Sequence, residues 1–82
     1  MFIEAKNIIN NKAVTQSGQL LGRVIDFEID TINQRVVKYY IQGDLIGFLK
    51  KPLIINADQV IEIKKDKLII KDAVVFDVEY AK

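Results

Sequence analysis

The sequence contains no cysteine and no histidine, and these two absences remove much of the chemistry that small proteins carry out. Without cysteine, the chain forms no disulfide and offers no thiolate to a metal ion. Without histidine, it lacks the side chain that most often serves as a general base or a metal ligand near neutral pH. We therefore expect a fold held together by packing alone, with no metal, no cofactor and no histidine-based catalysis.

The sequence also lacks a long apolar run and an excess of either charge. Its 12 basic and 11 acidic residues give a formal net charge of +1, whereas dedicated nucleic-acid binders usually carry a clear basic excess. Lys, Asp or Gln interrupts each apolar cluster, so none is long enough to cross a bilayer. The first residues do not have the basic and then apolar order of a signal peptide. These features predict a cytoplasmic protein without membrane insertion.

The length of 82 residues corresponds to a single domain. The hydrophobic share of 50% is ample for a core, and the charged share of 28% is sufficient for a hydrated surface. We therefore expect one domain over residues 1–82.

Alternating apolar and acidic residues mark 20–30 as the longest predicted strand. Its apolar positions are Ile25, Phe27 and Ile29, and its acidic positions are Asp26, Glu28 and Asp30. Val24 falls on the acidic face, so a β-bulge near Val24 and Ile25 is needed if both are to reach the core. Gly22 suits a close crossing of two backbones or a tight bend.

Further strand signals follow along the chain. They lie at 12–15, 35–42, 53–55, 60–63, 67–71 and 73–80, with only one or two helical turns expected at 4–10. Pro52 precedes the segment 53–55 and favours an edge strand there. Short strands at nearly regular spacing predict an all-β fold, either a small antiparallel barrel or a sandwich. Closure into a barrel would protect the sheet edges from pairing with other chains.

The order of these segments resembles the PRC-barrel domain. The resemblance is carried in the first half by Val14, Ser17–Gly18, Leu21–Asp26, Ile29–Asp30 and Arg35–Val37, and in the second half by Leu53–Ile63 and Asp66–Ile70. It covers residues 3–72 and leaves 73–82 as an extension with an extra C-terminal strand. The family occurs in the H subunit of photosynthetic reaction centres, in the C-terminal part of the ribosome maturation factor RimM, and as short stand-alone proteins. The resemblance implies a small antiparallel PRC-type β-barrel of about six strands that serves as a docking or scaffolding module without catalysis.

The acidic positions of the long strand are a candidate site for a hard cation. Carboxylates two residues apart on an extended strand are roughly 6–7 Å apart, too far to share one ion without further ligands. We therefore interpret Asp26, Glu28 and Asp30 as the solvated face of the strand.

Two apolar segments are candidates for contact with a partner. The loop 43–51 contains Phe48 and Leu49, and the terminal segment places Val74, Phe76, Val78 and Tyr80 on one face. An exposed row of this kind favours aggregation, so something must cover it. The terminal strand either completes the chain's own barrel or pairs with another chain, and the sequence leaves both open. We expect a protein partner, with a homodimer of two-fold symmetry as the default.

Two lysine clusters suggest an alternative partner, namely RNA or the ribosome. They comprise Lys50 and Lys51, then Lys64, Lys65 and Lys67. Lysines can contact phosphates, and the resemblance to the RimM C-terminal domain implies such a role. Lysines at strand ends and hairpin tips also prevent edge pairing, and Asp58, Asp66 and Asp72 lie among them. The alternative function is therefore that of an RNA- or ribosome-associated adaptor.

Overall fold

The computed structural model describes residues 2–43 and 52–72, together with the backbone of 77–78. The elements in chain order are α1 (Ala5–Ile8), β1 (Lys12–Thr15), β2 (Leu20–Asp30), β3 (Arg35–Gln42), β4 (Leu53–Asn56), a 3-10 turn (Ala57–Gln59), β5 (Val60–Ile63), β6 (Lys67–Ile70) and β7 (Asp77–Val78). The described chain is therefore mostly β with little helix, as the sequence predicts.

The strands form one sheet in the order β5-β6-β1-β2-β3-β4-β7. Every neighbouring pair is antiparallel except β1 and β6, which run in parallel. The expectation of a purely antiparallel sheet is therefore wrong, and the sheet is mixed. β5 and β6 form an antiparallel hairpin. This hairpin pairs with β1 through its second strand, β6, which runs in the same direction as β1.

The ends of the sheet differ from the sequence expectation in two ways. Within residues 2–43, 52–72 and 77–78, the ladders end at β5 and at β7, and no ladder joins these two strands into a closed barrel. The segment after Pro52 is also not an edge strand, because β4 pairs with β3 on one side and with β7 on the other. The terminal strand thus covers the side of β4 that the sequence predicted to be free.

Strand β2 contains the predicted bulge. Its register with β3 passes from Val24 opposite Ile41 to Asp26 opposite Tyr40, which leaves Ile25 as the extra residue. Val24 is fully buried, whereas Ile25 remains 43% exposed. The bulge therefore brings Val24 into the core but does not bury Ile25.

The predicted apolar face of β2 is largely wrong. Of its three members, only Phe27 packs against the core, and Ile29 is 54% exposed. The side chains that fill the core are Ile8, Ala13, Leu21, Val24, Tyr39, Ile41, Leu53, Ile55, Leu68 and Ile70. Burying one large aliphatic side chain stabilises the fold by about 1.5–3 kcal/mol, so these residues dominate the stability of this small domain.

Polar contacts attach the β5–β6 hairpin to both ends of β1. Before β1, the buried Asn11 donates from Nδ2 to the carbonyl oxygen of Lys64 at 3.3 Å, and its Oδ1 accepts from the amide of Lys12 at 3.1 Å. After β1, the amide of Ser17 donates to Asp72 Oδ1 at 2.8 Å. These contacts hold β6 beside β1 and help to fix the register between the two strands.

Candidate interaction surface

Most of the predicted protein-contact residues lie outside the described residues. Phe48 and Leu49 of the loop belong to this group, as do Val74, Phe76 and Tyr80 of the terminal segment. The structure gives the backbone of Val78 and nothing of its side chain. Their role in binding therefore stays a prediction.

The terminal segment pairs with its own chain at the two residues that are described. Val78 lies opposite Leu53 and Asp77 opposite Ile54 in an antiparallel ladder. Leu53 is buried and belongs to the core. At this position the terminal strand therefore extends the sheet of its own chain.

Three of the five predicted RNA-contact lysines lie at one turn. Lys64 and Lys65 are exposed in the turn between β5 and β6, and Lys67 is half-buried at the start of β6. The amide of Lys64 donates to the carbonyl oxygen of Lys67 at 2.8 Å and closes this turn. The other two, Lys50 and Lys51, lie outside the described residues.

Pairing of the strands creates a row of positive charge that sequence reasoning missed. Lys12 of β1 lies directly opposite Arg23 of β2 and directly beside Lys67 of β6. We name these three residues the basic row. Residues that pair directly point to the same side of a sheet, so these three share one face. We name it the outer face, because the neighbouring residues Ala13, Gly22 and Leu68 are buried on the opposite side. No local pattern in the sequence brings them together, since the two pairings join Lys12 to residues 11 and 55 positions away in the chain.

The basic row has no acidic partner among the described residues. The ion pairs of the described residues lie elsewhere. They join Lys6 to Glu4, at 3.7 Å, and Lys38 to Glu28, at 3.9 Å. One guanidinium nitrogen of Arg23, Nη1, donates to the carbonyl oxygen of Asn10 at 2.9 Å, which holds the side chain in place without neutralising it. Among the residues that the structure describes, no carboxylate forms an ion pair with any of these three cations.

An aliphatic row runs beside the basic row on the same outer face. It consists of Leu20, Val14 and Ile69, which lie opposite one another across β2, β1 and β6. Leu20 is 45% exposed, and Val14 and Ile69 are half-buried. In β1 and β6 the two rows are two residues apart, about 6–7 Å along an extended strand.

The acidic face of β2 is engaged by groups of its own chain. Asp26 accepts from the amide of Phe27 at 2.8 Å, and Glu28 accepts from the hydroxyl of Tyr40. Hydrogen bonds from the side chain and the amide of Asn33, and from the amide of Ile32, hold the pKa of Asp30 below its ordinary value. Each of the three acidic residues is thus engaged by a hydrogen bond within its own chain.

The described part of the chain contains neither a cluster of metal ligands nor a membrane-spanning helix. It contains no group of three or more acidic side chains that could together hold a metal ion. Its single short helix is neither long nor apolar enough to cross a membrane.

Comparison with known proteins identifies the family. A search of curated proteins found no match. The family model described as the PRC-barrel domain matches residues 1–75 of the 82-residue chain. PRC-barrel domains are non-catalytic and mediate protein interactions. Because the match spans nearly the whole sequence, this chain belongs to the PRC-barrel domain family.

Proposed function

We propose that this chain is a non-catalytic protein-interaction module of the cytoplasm that associates with a second copy of itself. The observation that carries the proposal is membership of a family whose domains mediate protein interactions. The self-association is an inference from the two apolar segments described above, the loop 43–51 and the terminal segment 73–82.

Chain geometry supports a common surface for these two segments. The loop leads directly into β4, and Leu49 precedes Leu53 by four residues, a span of at most about 14 Å. The terminal segment reaches the same point, because Val78 lies opposite Leu53. Both apolar segments are therefore tied by the chain to the start of β4, and we propose that they contribute to one contact surface.

The extent of the domain fits this division of roles. We propose that residues 3–72 form the family domain and that 73–82 form an extension that contributes to the contact. The family match ends at residue 75, close to the proposed boundary. A contact built from the same surface on both copies is isologous and closes as a dimer.

Charged substitutions within the two segments test the proposal. We expect Phe48→Glu and Tyr80→Glu to convert the dimer into a folded monomer, because a carboxylate buried in an apolar contact is costly. Ile32→Glu is the matched control, since Ile32 is 89% exposed at the far end of the β2–β3 hairpin. Light scattering after size exclusion measures the mass, and circular dichroism verifies the fold. Unchanged dimers in both test variants would contradict the proposed surface.

The RNA- or ribosome-associated adaptor is the second candidate function. The observation that favours it is the clustering of Lys64, Lys65 and Lys67 at one turn, with Lys12 beside Lys67. Binding of this kind would weaken steeply with salt, because phosphate contacts release counterions. Absence of binding to total ribosomal RNA at low salt would remove this candidate.

A further inference from the structure

We propose that the outer face of β6, β1 and β2 binds an acidic, aliphatic segment of a partner protein. The basic row (Arg23, Lys12 and Lys67) would meet its carboxylates, and the aliphatic row (Leu20, Val14 and Ile69) would meet its apolar side chains. The inference rests on the proposed role in protein interaction, but it does not depend on self-association.

The fold itself does not account for the basic row. Like charges directly opposite one another on neighbouring strands destabilise a sheet. The core next to the row is built by Ala13, Gly22 and Leu68, which are buried on the opposite face. The basic row thus lowers the stability of the free protein and adds nothing to its core. Binding of an anionic group to the outer face would explain why these cations are there.

Charge complementarity distinguishes between a second copy and a different protein. A second copy could offer the acidic face of β2, but Asp26, Glu28 and Asp30 are each engaged by their own chain. Using them would break contacts that the monomer already makes. The face is therefore better suited to carboxylates supplied by another protein.

The composition of the face favours a protein segment over a nucleic acid. Neither row contains an aromatic side chain on which a base could stack. Glu62 lies opposite Ile69 at the end of the aliphatic row and would repel any anionic group there, so the carboxylates of the bound segment must lie over the basic row. Aliphatic side chains beside cations suit a segment that carries a carboxylate at one position and a Val, Ile or Leu two positions later, on the same side.

Nuclear magnetic resonance on the ¹⁵N-labelled full chain tests the inference. The probe is a synthetic peptide in which Glu and Val alternate at every second position, with Ser between them. We expect shift changes to cluster at the amides of 12–14, 20–23 and 67–69. The same peptide with Lys for Glu, or with Ser for Val, is expected to give no such cluster. Shift changes that are absent, or that are spread over the whole chain, would overturn the inference.

Two double variants with equal net charge locate the binding. Lys12→Gln with Lys67→Gln removes two cations of the basic row, and we expect the affinity to fall at least tenfold. Lys6→Gln with Arg35→Gln removes two exposed cations elsewhere, and we expect the affinity to stay within twofold. Equal losses in both variants would show non-specific attraction and would overturn the proposed site.

The same titration with a single-stranded RNA oligonucleotide separates the two classes of partner. Tighter binding of the RNA than of the peptide at these amides, at about 150 mM salt, would overturn the inference in favour of a nucleic acid. The oligomeric state is measured separately. Peptide binding by a monomer would support the face and contradict the proposed dimer, whereas a dimer that does not bind would contradict the face alone.

Discussion

Gly22 lies so close to Gln42 that no side chain fits between β2 and β3 at this point. A Cβ atom added to Gly22 would be 2.1 Å from the carbonyl oxygen of Gln42. The φ angle of Gly22 is +152°, a conformation that residues with a side chain rarely adopt. Of the two alternatives that the sequence left open at Gly22, a close crossing or a tight bend, the structure shows a close approach of two backbones, within the strand that carries Val24 into the core.

We expect Gly22→Ala to destabilise the protein by about 3–5 kcal/mol, since steric overlap and backbone strain add together. Gly18→Ala is the matched control, because Gly18 also has a positive φ, +96°, but no atom lies within 4 Å of an added Cβ. Strain alone predicts a loss of about 1–2 kcal/mol for the control. Urea denaturation measures both values, and equal losses would contradict the close approach.

The buried Asn11 is expected to stabilise the junction between the β5–β6 hairpin and β1. Asn11→Ala removes the contacts with Lys64 and Lys12 and leaves their backbone groups without these partners. The expected loss is about 1–3 kcal/mol. Asn7→Ala, at an exposed position in α1, should change the stability by less than about 0.5 kcal/mol. Thermal or urea denaturation measures both, and a neutral Asn11→Ala would contradict the role of this contact.

The hydrogen bonds at the β2–β3 turn predict a pH-dependent contribution from Asp30. Its pKa is lowered in the folded protein, chiefly by the side chain of Asn33, so the folded state favours the carboxylate. The resulting stabilisation is present above the ordinary pKa of aspartate and is lost as the pH falls through the lowered pKa.

Asn33→Ala should move the pKa of Asp30 toward its ordinary value, and an NMR titration of the Asp30 side chain measures this shift. The stability difference between this variant and the wild type should exist at neutral pH and shrink in acid. Gln34→Gly is the control in the same turn, and it should leave the pKa of Asp30 unchanged. Gln34 has a positive φ of 56°, which glycine adopts easily. An unchanged pKa of Asp30 in Asn33→Ala would contradict the assigned cause.

The sequence predicts the strand positions well, because turns and alternation are local signals. It also predicts the bulge near Ile25 and the place of Gly22. It fails on the burial of Ile25 and Ile29, because alternation shows which residues share a face but not whether another element covers that face. From the middle of β2 onward, Ile25 remains 43% exposed and Ile29 remains 54% exposed.

The basic row could not be predicted for a related reason. Lys12 and Lys67 become neighbours only through the parallel pairing of β1 with β6, which joins the two ends of the domain. In the sequence, Lys67 groups with Lys64 and Lys65 instead, because these three residues are close together in the chain. The register between distant strands depends on the packing of the whole core. Ala13 and Leu68 belong to this core, where they pair directly and are fully buried.

The central claim is that the module associates with itself, and sedimentation equilibrium of the unmodified full chain tests it most directly. The account predicts a mass of about 19 kDa, twice the 9.4 kDa of one chain, with dissociation on dilution described by a monomer–dimer equilibrium. A mass of 9.4 kDa at every concentration measured would contradict the account.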